Sequence, residues 1–301
     1  MKQFIKRFIR KSESWSIGVY EANDLLVLKP PAQARNPVLT ARNVTDISAE
    51  FVADPFMLRK DDRWYMFFEA LNAIDGLGKI ALASSLDGFH WTYHQIVLDE
   101  PFHLSYPYVF HWNNEYYMVP ETYQINEARL YKADPFPDRW VFEKTLLKGM
   151  DHVDSSLIRS NHFWWLFSST TSNDVLRLYY AEDLLGEWQE HPDSPIIEGN
   201  ARFARPAGRL LELGQRLIRF AQDDQSIYGR QVYAFEITSL TPTHYAERQM
   251  FEGEPMLSAS DSGWNAVGMH HVDLHPIDSD RWLACVDAKG KPSWHFRPLR
   301  N

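Results

Sequence analysis

The sequence predicts an all-β protein, a five-bladed β-propeller whose ring is closed by an N-terminal strand entering the last blade. Three observations predict it. Short apolar strands alternate with polar turns along the whole chain. One pattern, a strand, a tight turn and a second strand ending on a polar residue, returns five times at a period of about 50 residues, the range of radially repeated four-stranded sheets. The fifth copy runs out of chain before its last strand, and the orphan strand Trp15 to Tyr20 can supply it, which removes the exposed edges of a linear array. With 301 residues, 45% hydrophobic and 14% aromatic, the chain can fill a large core, and residues 1–301 read as a single domain. A β-sandwich is the alternative, but its strands do not recur in fours with matched turns.

The elements follow in order. Residues 1–14 (MKQFIKRFIRKSES) alternate basic side chains with Phe4, Ile5, Phe8 and Ile9. At helical spacing these four share one face, as in a short helix packed on its domain or lying on a membrane surface. The apolar run is too short for a signal-peptide core. After Trp15 to Tyr20, Leu25 to Leu28 reads as another strand, and Pro30 to Asn43 as a polar connection. The first blade opens with Asp54-Pro55, the strand Phe56 to Leu58, the turn Lys60 to Arg63, and the strand Trp64 to Phe68 ending on Glu69; Lys79 to Ser84 and Trp91 to Leu98 complete it. The second copy starts at Tyr106 and closes its hairpin on Glu121, the third starts at Asp154, the fourth runs Arg205 to Leu210 and turns at Gly214, and the fifth starts at His270-His271 and turns at Ser279-Asp280.

The repeat gathers distant residues. In a propeller the first strand of each blade lines the central channel, so Asp54, Tyr106, Asp154, Arg205 and His271 are expected at one mouth, with His270 and Asp273 beside them. The second strands end there on Glu69, Glu121, Ser169, Asp223 and Asp287. Equivalent positions differ in charge from blade to blade, which points to a site with a directional task. Acid/base chemistry on a glycoside needs one protonated and one ionised carboxyl. Asp54 is the expected ionised member, stabilised by Arg205 across the funnel, and Glu121 or Glu69 the expected acid. Arg205 and Arg209 are suited to a phosphate or carboxylate on a sugar. Most tryptophans, Trp64, Trp112, Trp164 and Trp165 among them, are expected in the core.

These residues resemble known proteins. Asp54-Pro55 is similar to the element that opens the first blade of the five-bladed glycosidases of glycoside hydrolase families 43, 32, 68 and 130. That resemblance implies a general base or nucleophile at Asp54 and a substrate-orienting aspartate at Asp154. It also implies a divalent cation such as calcium in the channel near a last-blade histidine, here His270 or His271. The family's acid, a glutamate before Gly-Pro, is replaced by Arg205-Pro206-Ala207-Gly208-Arg209. Over most of its length the chain more closely resembles the N-terminal propeller of plant glucosamine inositolphosphorylceramide transferases and their bacterial relatives. Ala53-Asp54-Pro55-Phe56, Ser105-Tyr106-Pro107-Tyr108, Pro120-Glu121-Thr122, Trp164-Trp165 and His270-His271 carry that likeness.

Two functions follow as expectations. One is a glycosidase or transglycosylase acting on a glycan or glycolipid, with Asp54, Asp154, Glu121 and Glu69 as catalytic candidates and Tyr106, Arg205, Arg209, His270, His271 and Asp273 as binding candidates. The other is a non-catalytic glycan-binding propeller. A net charge of −9 argues against nucleic acid as a partner. The single cysteine, Cys285, fits a reducing, cytoplasmic setting. No Gly-rich phosphate loop, CxxC pair, HExxH or GxSxG sequence occurs.

Overall fold

The computed structural model describes residues 9–12, 15–22, 27–260, 262–278, 281–291 and 293–296. Five small antiparallel sheets form a ring, each entering at its innermost strand and leaving at its outermost. Blade I comprises Ala49–Lys60, Arg63–Asn72, Gly78–Ser85 and Thr92–Leu98. Blade II comprises Ser105–Trp112, Glu115–Glu121, Glu127–Ala133 and Trp140–Lys148. Blade III comprises Val153–Ser160, Phe163–Ser169, Leu176–Ala181 and the short Gln189–Glu190. Blade IV comprises Leu211–Leu213, Arg216–Gln222, Gln231–Thr241 and His244–Gln249. Blade V combines Val272–Pro276 and Trp282–Lys289 with the N-terminal Trp15–Ala22, paired from Trp15–Lys289 to Ala22–Trp282. The expected closure of the ring by the two ends of the chain is therefore present.

Strand alternation explains where the core sits. Successive side chains point to opposite faces, and in a ring both faces of a blade meet a neighbour. In the second strand of blade I, Phe67 faces the blade II side with Tyr108, Val119 and Leu130, while Met66 and Phe68 face blade V with Ile17, Val19 and Cys285. Similar clusters fill the III–IV and IV–V seams. Trp64, Trp164 and Trp165 are core residues, as their turn-flanking positions predicted, while Trp112 packs at the margin of one cluster.

Three expectations are corrected. Arg205 to Leu210 is not a regular strand. Pro206 has no N–H to offer a ladder, and Gly208 (φ +131°) lies so close to blade V that a Cβ there would sit 1.8 Å from the Val272 carbonyl oxygen. The segment makes only isolated bridges, Pro206 to Ala221 and Gly208 to Val272, and the regular strand begins at Leu211. Second, Ile9–Ser12 is not helical but a strand paired antiparallel with Ser293–Phe296; residues 1–8, 13 and 14 lie outside the described residues. Third, of the strand expected at Leu25 to Leu28, residues 25 and 26 lie outside the described residues and Val27 and Leu28 are irregular. The connection that follows edges blade V through the Glu21–Lys29 and Ile17–Leu39 bridges. The turn at Ser279-Asp280 also lies outside the described residues.

Candidate functional site

Three blades open with the same local device. Asp54, Tyr106 and Asp154 all adopt positive φ (52°, 45° and 48°), and each sits at a bulge in the inner hairpin. Non-glycine residues enter this region at a cost, and such strain persists where surrounding contacts over-determine it. Here the compensating contacts are carboxylates. The Asp54 N–H donates to Asp287 Oδ2 (2.9 Å), the Tyr106 N–H to Asp54 Oδ2 (3.2 Å), and the Asp154 N–H to Glu121 Oε2 (3.2 Å). Acids at the strand ends thus hold the next blade's first residue in place around the ring.

Four further groups organise the charges. Arg205 Nε donates to Asp154 Oδ2 at 2.6 Å, one terminal nitrogen donates to Asn173 Oδ1 at 2.8 Å, and the other lies 3.4 Å from Glu121 Oε2. Gln222 Nε2 donates to Asp154 Oδ2 at 2.8 Å. His270 bridges two acids, with Nδ1 2.6 Å from Asp287 Oδ1 and Nε2 3.5 Å from Asp54 Oδ1. His103 Nε2 stands 3.5 Å from Glu69 Oε1. Arg205 therefore clamps Asp154 and Glu121, and the expected contact of Arg205 with Asp54 is replaced by His270.

Burial then sets protonation. Desolvation raises Asp54 to about 7 against the opposing charge of His270, and raises Asp154 to about 7 against that of Arg205. Burial first, and the nearby Asp54 charge second, push Glu69 well above the usual carboxylate range. Burial also raises Glu121, with Arg205 opposing. Burial works against a charged His270, yet Asp287 and Asp54 hold it at about 9. Two neighbouring carboxyls of blade I are thus pushed apart, Glu69 toward the acid form and Asp54 toward the titrating one. Their adjacency follows from the hairpin register, in which Ala53 faces Glu69 across the ladder.

The remaining predicted residues lie deeper in the channel. The Tyr106 hydroxyl accepts the Gly208 N–H at 2.6 Å and lies 2.8 Å from Ser156 Oγ. Arg209 Nε donates to Asp273 Oδ1 at 2.7 Å and a terminal nitrogen to the Val109 carbonyl at 2.8 Å, over the Tyr108 ring. His271, lowered by burial to about 4 and so neutral, donates from Nε2 to the Pro55 carbonyl at 2.9 Å. These four tie blades together across the channel. The mouth itself gathers Asp54, Glu69, Glu121, Asp154, Arg205 and His270.

Sequence reading missed several mouth residues. Asn173, Gln222, Asp224 and Tyr228 lie on or beside the loops after second strands, where composition carries no distinguishing mark. Tyr228, exposed over two fifths of its surface, packs its ring on the Arg205 guanidinium (5.3 Å), and its edge meets Trp15 (6.3 Å). Trp15 in turn stacks on His270 at 4.1 Å. Gly229 makes this possible, because a Cβ there would lie 2.8 Å from both His270 and Trp15. Beside this rim opens a chamber of about 620 Å³, lined by Asp174, Asn200, Arg202, Phe203 and Gln225 among others.

Asp54, His270 and Asp287 each offer one ligand atom within 4.8 Å of the others, which tests the channel cation implied by resemblance. Calcium takes six to eight oxygen ligands. This cluster offers two carboxylates and one nitrogen, and the imidazole already bridges the two acids. The residues fit a proton-bearing histidine rather than calcium, and no chemistry is routed through a metal here.

Comparisons with known proteins place the chain. Residues 10–289 match the family described as glucosamine inositolphosphorylceramide transferase 1, N-terminal. Glucosamine inositolphosphorylceramide transferase 1 of Oryza sativa subsp. japonica is 36% identical over 93% of this chain and 40% of its own length. The Arabidopsis thaliana protein of the same name is 34% identical over 91% of this chain and 39% of its own. The chain thus spans about two fifths of the curated relatives it matches. Among solved structures, a glycosyl hydrolase from Bacteroides ovatus superposes with a TM-score of 0.64 at 10% identity, covering 87% of this chain and 95% of that one. The catalytic domain of the Coprinopsis cinerea family 62 α-L-arabinofuranosidase gives 0.59 at 14%, covering 94% and 98%. At such identities the likeness is one of fold. The chain belongs to the family of the glucosamine inositolphosphorylceramide transferase 1 N-terminal region.

Proposed function

We propose that the mouth of this propeller is a carbohydrate-processing site that acts on a glycan or glycolipid by cleaving or transferring a glycosidic bond. One observation carries the reading. Asp54 and Glu69, neighbours on one hairpin, have environments that separate their proton affinities, the property that assigns base and acid in a glycoside-cleaving pair. Asp54 is the base or nucleophile, oriented by its contacts with the Tyr106 N–H and His270. Glu69 is the proton donor, and Asp154, fixed by Arg205 and Gln222, orients the sugar. The names of the family's relatives and the glycosidase fold of the structural neighbours support a carbohydrate or glycolipid substrate.

A second reading, sugar binding without turnover, is favoured by Arg205, which stands where the five-bladed glycosidases are expected to carry their acid. The two separate in one experiment. The full chain is incubated with a panel of glycosides and glycolipid headgroup glycans, and released or transferred sugars are resolved by chromatography. Turnover that falls about a hundredfold or more in Asp54→Asn supports catalysis. Full turnover in Asp54→Asn sinks the assignment, and binding with no turnover moves the conclusion to the second reading.

A further inference from the structure

The mouth contains three buried acceptors with no donor, all grouped beside Arg205. Asp154 accepts both Arg205 Nε (2.6 Å) and Gln222 Nε2 (2.8 Å) on Oδ2, leaving Oδ1 buried and unpaired. Gln222 spends its N–H groups on Asp154 and on the Pro206 carbonyl (3.1 Å), leaving Oε1 unpaired. The orientation of that amide is set by its partners, since the reverse would place its oxygen against a carboxylate. Asp224 accepts the Gly229 N–H (2.7 Å) on Oδ1, leaving Oδ2 unpaired. Asp154 and Gln222 are both 2% exposed. A buried acceptor without a donor costs about 1–3 kcal/mol, and more when charged, so such a group implies a partner that arrives with the ligand.

The chemistry of that partner is constrained. The nearest cation has nothing left to give, because the Arg205 nitrogens are already directed at Asp154, Asn173 and Glu121. Asp54, Glu69, Glu121, Asp154, Asp224 and Asp287 supply acid against only Arg205 and His270, and burial raises Asp224 as it does Asp154. A phosphate or carboxylate brings more acceptors and more negative charge to a site already in surplus of both. An ammonium brings three N–H donors, one positive charge and no acceptor.

We propose that this cluster is a subsite for the ammonium of an amine-bearing sugar, seated among Asp154 Oδ1, Gln222 Oε1 and Asp224 Oδ2. The sugar ring lies toward the adjoining chamber, whose lining residues Asp174 and Gln225 are chain neighbours of Asn173 and Asp224. This rests on the carbohydrate reading above and names its substrate class. It also reverses the expectation that Arg205 and Arg209 select an acidic or phosphorylated sugar, since both arginines are neutralised by carboxylates within the protein.

The test is calorimetric titration of the full chain with glucosamine, N-acetylglucosamine, glucose and glucose 6-phosphate, repeated on Asp224→Asn. Glucosamine is expected to bind tightest, with acetylation of the amine and Asp224→Asn each weakening it by about tenfold, as for loss of one charged hydrogen bond. Thermal unfolding of the variant checks that the fold is kept; Asp224 is only partly buried. Equal binding of glucosamine and N-acetylglucosamine overturns the ammonium subsite and leaves the carbohydrate reading standing. Tightest binding of glucose 6-phosphate overturns it in favour of anion selection. Stabilisation by calcium alone, with no response to glucosamine, overturns it in favour of a metal. Failure of every sugar to bind, together with no turnover on the glycan panel, overturns both readings.

Discussion

Arg205 Nε lies 2.6 Å from Asp154 Oδ2, and the two residues come from different blades, 51 positions apart. That contact converts the funnel from a row of acids into a clamp, and it defines what the arginine can do. Arg205 neutralises Asp154 and approaches Glu121, so it holds blades II, III and IV together at the mouth. Replacing Arg205 with alanine leaves two buried carboxylates without their cation, which costs about 3–5 kcal/mol. Arg205→Lys keeps the charge but not the fork, and is expected to lose less stability than alanine. Urea denaturation measures both; an alanine variant as stable as the parent would show that the clamp is not structural.

The protonation of Glu69 gives a pH signature. Its folded-state proton affinity is raised, mainly by burial, above the unfolded carboxyl's, so the protonated form is favoured by folding. Stability from this group is present at low pH and is lost as pH rises from about 4.5 toward the raised folded value. Glu69→Gln removes the penalty. The variant is expected to be more stable than the parent at pH 8 by about 0.5–2 kcal/mol, with a smaller difference at pH 5. Turnover should fall in the same variant. A Glu69→Gln protein destabilised at pH 8 contradicts the assignment of Glu69 as a buried acid without an adequate partner.

Gly208 and Tyr106 test the inner tie. A Cβ at 208 would meet the Val272 carbonyl oxygen at 1.8 Å on a backbone at φ +131°, so Gly208→Ala is expected to cost about 3 kcal/mol or more. Tyr106→Phe removes the hydroxyl that accepts the Gly208 N–H and is expected to cost about 1–3 kcal/mol. Midpoints of thermal unfolding read both changes. Unchanged midpoints in both variants would remove Tyr106 from the structural role and return it to the list of ligand contacts.

Tyr228 separates binding from folding. Its exposed ring lies over Arg205 at the rim, so Tyr228→Ala should weaken sugar binding by about tenfold while moving stability by less than about 1 kcal/mol. Tyr228→Phe keeps the ring and is expected to retain most of that affinity. Equal affinity in all three proteins would exclude the ring as a sugar platform.

Much of the fold was legible because alternation and turns repeat. Met66, Phe67 and Phe68 alternate between two seams in the register that the hairpin predicts. Blade IV was read less well, because Pro206 and Gly208 interrupt the strand pattern and Gly208 is explained only by the Val272 carbonyl pressing on it from blade V. At the site, Asp54, Glu69, Glu121, Asp154, Arg205 and His270 were found through their repeat positions. Gln222, Asp224 and Tyr228 were not, since a polar residue in a loop after a strand looks the same whether it faces solvent or a neighbour.

The sequence by itself determined the ring, its closure through Trp15 to Tyr20, and the gathering of acids at one mouth, because a 50-residue repeat of alternating strands leaves few other ways to bury both faces of each sheet. Only the tertiary structure decided which charge meets which. Arg205 faces Asp154 rather than Asp54, His270 bridges Asp54 and Asp287, and Arg209 is spent on Asp273. Pairing across a channel depends on ångström differences in blade angle and side-chain direction, and these also decide which acids are buried without a partner.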